Sequence, residues 1–212
     1  MTAVTPVEEL NLIEALRAGD ERAFERLVAE YHASMLRLAL SFVRNRAVAE
    51  EVVQETWLGV LNGLDRFEGR SSLKTWIFRI LTNRAKTRGE REGRTVPFSS
   101  LAEPGEEGPS VEPERFSGPG HRWAGHWAAY PERWETVPER KLLSSEARTR
   151  IDDAIAGLPP SQRAVITLRD VTGLTSEEVC NVLELSETNQ RVLLHRARSK
   201  VRAVLEDYFK ED

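Results

Sequence analysis

Apolar residues between Leu10 and Arg88 recur at intervals of three and four. Phe24, Leu27, Val28 and Tyr31 are followed by Met35, Leu36, Ala39 and Leu40. This is the period of a helix that buries one face. The same period returns from Glu146 to Phe209, and no stretch shows the period of two that marks a half-buried strand. Gly157-Leu158-Pro159-Pro160 interrupts the second run, and Ser161 is placed to cap the helix that follows. Between the two runs the pattern stops. Residues 95–114 are rich in Ser, Gly, Pro and Glu, a composition that cannot bury enough surface to offset its ordering entropy. Residues 115–140 add His121, Trp123, His126, Trp127, Tyr130 and Trp134 to a Pro-rich frame. The pattern predicts an all-α protein with two helical domains, residues 1–94 and 145–212, joined by a long flexible linker at 95–144.

A length of 212 residues accommodates two small domains. No apolar run approaches the ~20 residues that cross a bilayer. The acidic first ten residues lack the basic-then-apolar order of a signal peptide. The expectation is a cytoplasmic protein without an integral membrane segment. The single cysteine, Cys180, excludes an intramolecular disulfide or a multi-cysteine metal site. It stands at a core-like helical position and is expected to be buried packing. His121 and His126 have no partner spaced for zinc. There is no glycine-rich phosphate loop and no nucleophile–base pair. No metal, no cofactor and no enzymatic activity are expected.

The net charge of −4 conceals strong local asymmetry. From Gly69 to Arg94 stand Arg70, Lys74, Arg79, Arg84, Lys86, Arg88, Arg91 and Arg94, opposed only by Glu90 and Glu92, with Trp76 and Phe78 interleaved and Phe67 just before. Basic side chains neutralise phosphates and aromatic rings stack on unpaired bases. The combination suits single-stranded DNA, although a solvated basic helix with core aromatics has the same composition. Upstream, Glu51, Gln54, Glu55 and Leu58 fall at i, i+3, i+4 and i+7 and so share one stripe. Val52, Val53, Thr56, Trp57 and Val60 face elsewhere, as a core stripe would. An acidic stripe carrying a leucine fits a basic helical partner; by composition it is also an ordinary solvated face.

In the C-terminal domain, Thr175 and Glu178 have the spacing of a capping box. Leu185-Ser186 then closes a short turn, and Ser186 caps the next helix. From Thr188 to Leu205 that helix has five basic residues (Arg191, Arg196, Arg198, Lys200 and Arg202) and no acid. A capped helix followed by one that opens with Ser, Thr, Asn, Gln and Arg suits a helix-turn-helix entering the major groove.

Two runs carry a family resemblance. AEEVVQETWLGVL, from Ala49, and FEGRSSLKTWIFRILTNRAK, from Phe67, closely resemble region 2 of the extracytoplasmic-function (group IV) RNA polymerase sigma factors. LPPSQRAVITLRDVTGLTSEEV, from Leu158, and LHRARSKVR, from Leu194, resemble region 4 of the same family. The resemblance implies a transcription initiation factor with core RNA polymerase, promoter DNA and an anti-sigma factor as partners. It assigns Glu51, Gln54, Glu55 and Leu58 to polymerase docking. Phe67, Arg70, Ser71, Ser72, Lys74, Trp76, Arg79 and Asn83 fall to reading and melting the minus-ten element. Ser186, Thr188, Asn189, Gln190, Arg191, Val192, His195, Arg196 and Arg198 fall to the minus-thirty-five element. The linker is placed toward the polymerase cleft by position alone. The chain departs from the family pattern at three points. Thr87 replaces an aspartate, Thr188–Leu193 replace Gly-Thr-Val-Lys-Ser-Arg, and Glu184 replaces a turn glycine. At Glu184 the backbone is either relaxed or held at a costly positive φ. A stand-alone DNA-binding regulator would use the second domain only and leave the first domain's two faces without a role.

Overall fold

The computed structural model describes residues 6–93 and 145–210. The linker expectations, including the His121/His126 pair and the Trp-rich segment, fall outside the described residues. Among the described residues every regular element is helical. The first module holds α1 (Pro6–Arg17), α2 (Glu21–Ala39), α3 (Arg46–Gly63), a 3-10 turn (Leu64–Arg66) and α4 (Leu73–Arg91). The second holds α5 (Ser145–Ala156), α6 (Pro160–Ile166), a π turn (Thr167–Val171), α7 (Ser176–Leu183) and α8 (Glu187–Lys210).

Helix starts in the first module are set by side-chain caps. The Asp20 carboxylate accepts from the amides of Arg22 and Ala23 at 2.9 and 3.2 Å. Asn45 accepts from Val48 at 2.9 Å, and Ser72 from Thr75 at 3.2 Å. Each satisfies an amide that the helix itself leaves open, worth about 1 kcal/mol. The helices then bury Leu27, Met35 and Leu38 of α2 against Val52, Val53, Trp57 and Val60 of α3 and Ile77, Phe78 and Leu81 of α4. Full burial of such side chains stabilises by roughly 1.5–3 kcal/mol each. Tyr31 meets the Phe78 ring edge-on, centroids 5.9 Å apart, and Phe24 meets Trp57 at 5.6 Å. A Cβ on Gly89 would lie 2.5 Å from the Phe42 carbonyl oxygen, so only glycine lets α4 approach the end of α2 this closely.

α1 straps the loop between α3 and α4. The Arg17 guanidinium donates to the carbonyls of Phe67 and Leu64 at 2.6 and 3.3 Å. Glu9 accepts from the first amide of α4, that of Leu73.

In the second module the core is formed by Ile155, Leu158, Val165, Leu168, Leu174, Val179, Leu183, Leu193 and Ala197. Ser161 is not the cap expected of it. Pro160 takes the first helical position, where its fixed φ and missing N–H cost nothing. Ser161 is thereby drawn inside, with its hydroxyl buried and unpartnered among the described residues. Cys180 is half-buried rather than buried. Desolvation and the nearby Glu187 push its thiol above the ordinary value. Glu184 resolves the question raised by its missing glycine: it ends α7 in the left-handed conformation, φ 61° and ψ 45°.

The modules touch along α2 and α4. Arg163 donates to the Leu40 carbonyl and to Ser41 Oγ at 3.1 Å. Arg37 pairs with Asp152 at 2.6 Å. α4 lies against α7.

Candidate nucleic-acid and partner interfaces

On α3, the side chains of Glu51, Gln54, Glu55 and Leu58 are all exposed, Leu58 to 61%, while Val52, Val53, Thr56, Trp57 and Val60 are buried. The structure thus separates the two stripes that periodicity distinguishes. The acids are not bare. Glu51 pairs with Arg88 at 2.6 Å and Glu55 with Arg84 at 3.5 Å, both from α4. Gly59 makes room for the second pair, since a Cβ there would lie 2.8 Å from the Arg84 guanidinium. Exposed pairs of this kind contribute about 0–1 kcal/mol. An incoming basic helix can therefore compete for the carboxylates, with Leu58 supplying apolar contact.

The second face is the loop before α4 and the helix itself. Arg70, Ser71, Arg79 and Asn83 are exposed, and Ser72, Lys74 and Trp76 are half-buried. Phe67 departs from expectation. It is buried, its ring tilted against Trp76 with centroids 4.9 Å apart, so it supports the loop from below and offers no face to a base. Trp76 lies over Gly63, where a Cβ would come within 3.1 Å of the indole. The Thr87 hydroxyl donates back to the Asn83 carbonyl at 2.9 Å, which occupies it within the helix.

α4 also faces the second module. Glu178 accepts from Thr75 Oγ1 at 2.6 Å and from Ser72 Oγ at 3.0 Å. Lys74 Nζ donates to the Thr172 carbonyl at 3.0 Å. Lys86 Nζ reaches Glu184 at 2.7 Å. Burial acts to raise the Glu178 carboxyl, but the hydrogen bonds from Thr75, Thr175 and Ser72 together outweigh it and hold the group below the ordinary value. Glu184 is held down by the Lys86 hydrogen bond and charge, with Arg79 adding to them.

The third face is the helix-turn-helix of α7 and α8. The capping box is present in full: Glu178 N–H donates to Thr175 Oγ1 at 3.2 Å, and Thr175 N–H to Glu178 at 2.9 Å. Ser186 Oγ accepts from the Asn189 amide at 3.2 Å and starts α8. Ser186, Thr188, Arg191, Val192 and His195 are exposed, and Asn189 and Arg196 half-buried. Thr188, Arg191, Val192, His195 and Arg196 line one depression of about 350 Å³. Two expected contacts are engaged elsewhere. Gln190 is 2% exposed, and its amide oxygen accepts from Ser176 Oγ at 2.9 Å, which ties α8 to α7. Arg198 makes two parallel hydrogen bonds to Asp170, at 2.8 and 2.6 Å. Asp170 lies on the π turn, whose extra residue is closed by a hydrogen bond from the Thr172 amide to the Thr167 carbonyl at 2.9 Å. Sequence patterning passes over Arg17 and Glu9 altogether, and over the contacts that Glu178 and Glu184 make with α4. The capping-box spacing marks Glu178, and the absent glycine marks Glu184.

Comparison with known proteins supports both modules. The family described as Sigma-70 region 2 matches residues 27–95, and that described as Sigma-70, region 4 matches residues 148–201. The RNA polymerase sigma-H factor of Pseudomonas aeruginosa is 29% identical over 208 residues, which cover 98% of this chain and 99% of that protein. The ECF RNA polymerase sigma-E factor of Escherichia coli K12 is 32% identical over 190 residues, 90% of each chain. Two solved structures share the fold, each at 21% identity. One is CnrH in complex with the cytosolic domain of CnrY, with a TM-score of 0.51 over 94% of this chain and 97% of that one. The other is the sigma factor RpoE in complex with the anti-sigma factor NepR from Bartonella quintana, with a TM-score of 0.53 over 86% and 96%.

Proposed function

Because the chain belongs to the extracytoplasmic-function RNA polymerase sigma factors, we propose that it binds core RNA polymerase, directs it to promoters and supplies the groups that open the minus-ten element. The observation that carries this reading is the pair of family matches in chain order, region 2 and then region 4, on a chain similar to sigma-E over 90% of both lengths. The stripe of Glu51, Gln54, Glu55 and Leu58 is the polymerase-docking face. Arg70, Ser71, Ser72, Lys74, Trp76, Arg79 and Asn83 form the minus-ten face. There a flipped base costs a few kcal/mol of stacking that a shaped site must recover. Asn83 presents both a donor and an acceptor for a base edge. Ser186, Thr188, Asn189, Arg191, Val192, His195 and Arg196 form the minus-thirty-five face.

Catalysis belongs to the polymerase. The chain contributes binding and melting energy and acts in the cytoplasm, where promoter DNA lies. No described helix is long and apolar enough to cross a membrane. An anti-sigma factor is the expected regulator; the RpoE and CnrH structures, each solved with a partner, support that expectation. Run-off transcription with core polymerase tests the proposal. The templates are the region upstream of the chain's own gene and a genomic fragment pool. Specific initiation that disappears with Glu51→Arg plus Glu55→Arg supports it. Specific duplex binding by the chain alone, with no initiation on any template, would favour a stand-alone regulator.

A further inference from the structure

The loop from Phe67 to Ser72 has little of its own to shape it. Gly69 takes a positive φ of 70°, the Glu68–Arg70 pair at 2.7 Å is exposed on both sides, and Ser71 Oγ reaches the Ser72 carbonyl only at 3.4 Å. An exposed pair and a long hydrogen bond contribute little. The two feet of the loop are held instead, and α1 holds both. At the first foot Arg17 spans two peptide carbonyls: its Nη2 donates to Phe67 at 2.6 Å and its Nε to Leu64 at 3.3 Å. The planar guanidinium fixes both directions at once, which a single ammonium could not do. At the second foot Glu9 accepts from the amide of Leu73, the first residue of α4. A helix leaves that amide open, and a carboxylate there also meets the positive end of the helix dipole.

The sequence of α1 suits this grip. Glu9, Ile13, Leu16 and Arg17 fall at i, i+4, i+7 and i+8 and so share one stripe. Ile13 and Leu16 are buried in the core of the first module and anchor the helix between its two polar ends. Glu9 and Arg17 stand a little over two turns apart, about 12 Å along the axis, so one rigid element reaches both feet. α1 carries none of the docking or promoter-reading residues above, and it stands ahead of the stretch that matches region 2. Between and beside the feet lie groups of the minus-ten face. Arg70 and Ser71 are exposed on the loop, Ser72 and Lys74 stand at the start of α4, and Trp76 packs on Phe67 beneath. Taking a base out of its stack is unfavourable, and a pocket that must order itself on binding recovers less of that loss.

We propose that α1 is a positioning element for base capture. Arg17 and Glu9 hold the loop at residues 67–72 and the first turn of α4 in one relation, so that the site for a displaced minus-ten base is formed before DNA arrives. Neither residue touches DNA in this role. The capture rests on the minus-ten role proposed above; the grip on the loop does not.

The test has two arms, both on the full-length chain. The first follows amide hydrogen exchange of the free chain by NMR. Glu9→Ala should speed exchange at Leu73 by about tenfold, the equivalent of one lost hydrogen bond, while Ile77, Phe78 and Leu81 later in α4 stay protected. Glu9→Gln keeps an acceptor oxygen and should retain the protection. The second arm uses the complex with core polymerase on a promoter found by the run-off assay above, with each minus-ten base pair replaced in turn. Arg17→Ala should reduce discrimination by about tenfold at one position, the captured base. The other minus-ten positions, the minus-thirty-five element and polymerase affinity should stay as in the parent. Arg17→Lys keeps the charge but cannot span two carbonyls, so it should behave like Arg17→Ala. Unchanged exchange at Leu73 in Glu9→Ala overturns the proposal. A loss spread evenly over all positions, as general damage to the fold would give, or no loss at all, overturns the positioning role. So does full discrimination in Arg17→Lys, which would make Arg17 a charge acting on DNA directly. No initiation on any template would instead count against the sigma-factor reading, and the exchange arm, which needs no promoter, would still decide whether α1 holds the loop.

Discussion

Gln190 separates a base-reading role from a structural one. Its side chain is 2% exposed, one end bonded to Ser176 and its Nε2 without a partner among the described residues. Gln190→Ala removes four side-chain heavy atoms from a closed space. A truncation of that size in a core costs about 2–3 kcal/mol, and relief of the unpaired amide returns about 1 kcal/mol. The expected net loss is about 1–2 kcal/mol. Gln190→Met keeps the length and has no polar end. It loses one hydrogen bond and one buried unpaired group, terms of similar size and opposite sign, so it should lie within about 1 kcal/mol of the parent. Thermal melts followed by circular dichroism give the stabilities. Promoter binding by the polymerase complex, on matched and scrambled minus-thirty-five sequences, gives discrimination. Gln190→Met should retain both. If it melts like the parent but loses about tenfold in discrimination, the size of one good base contact, then Gln190 reaches DNA and the buried placement is not the one used on the promoter.

Asp170→Asn should free Arg198 for phosphate. Duplex affinity should rise, and the slope of log K against log salt should steepen by about one unit; an unchanged slope would refute the fork as a restraint on Arg198. Gly89→Ala places a Cβ against the Phe42 carbonyl and should cost about 1–3 kcal/mol through the forced separation of α4 from α2, read as a lowered Tm with promoter preference unchanged. Glu184→Gly removes left-handed strain and should stabilise the second module by about 1 kcal/mol while loosening the contact with the first; a fall in both would contradict the strain argument. Glu178 and Glu184 are held below the ordinary value of 4.5. Their contribution to the contact between the modules is therefore fully present above that value and is lost as pH falls through their lowered pKa values. The inter-module distance should be constant from neutral pH down to about 5 and lengthen only in stronger acid.

The helices and both modules were legible because each carries a 3.6-residue apolar stripe of its own. The α3 stripe shows how far this reaches: Glu51, Gln54, Glu55 and Leu58 are exposed where their spacing puts them. Periodicity fails where a residue's fate depends on a neighbour distant in sequence. Gln190 occupies a position that should face a groove, but Ser176 of the preceding helix draws it inward. Phe67 belongs to a loop, where no period exists to assign a face, and Trp76 supplies the surface that buries it. Ser161 matched a capping residue type, but Pro160 just before it had already begun the helix. Glu178 could be read as half of a capping box but not as an acceptor for Ser72 and Thr75, which lie 106 and 103 residues away.

On the minus-ten role proposed for α4, the dual use of Glu178 follows from the chemistry of a promoter-reading face. Such a face needs hydroxyl and ammonium donors that remain open to solvent, since donors satisfied within their own helix could not read DNA. Open donors accept any correctly placed oxygen, whether phosphate, base edge, carboxylate or peptide carbonyl. A second domain tethered to the first meets that face at high effective concentration, so acceptors on its surface will find the donors unless they are kept away. In this chain they are supplied: a carboxylate already ordered by Thr175, a carbonyl freed at the end of a π turn, and a glutamate held in a conformation that glycine would adopt more easily. Each contact is partly exposed and contributes about 1 kcal/mol or less. The contact between the modules is therefore shallow enough to yield to an interface of ordinary size, roughly 1,600 Å². It should also weaken with salt, which sharp dependence on a single buried pair would not produce.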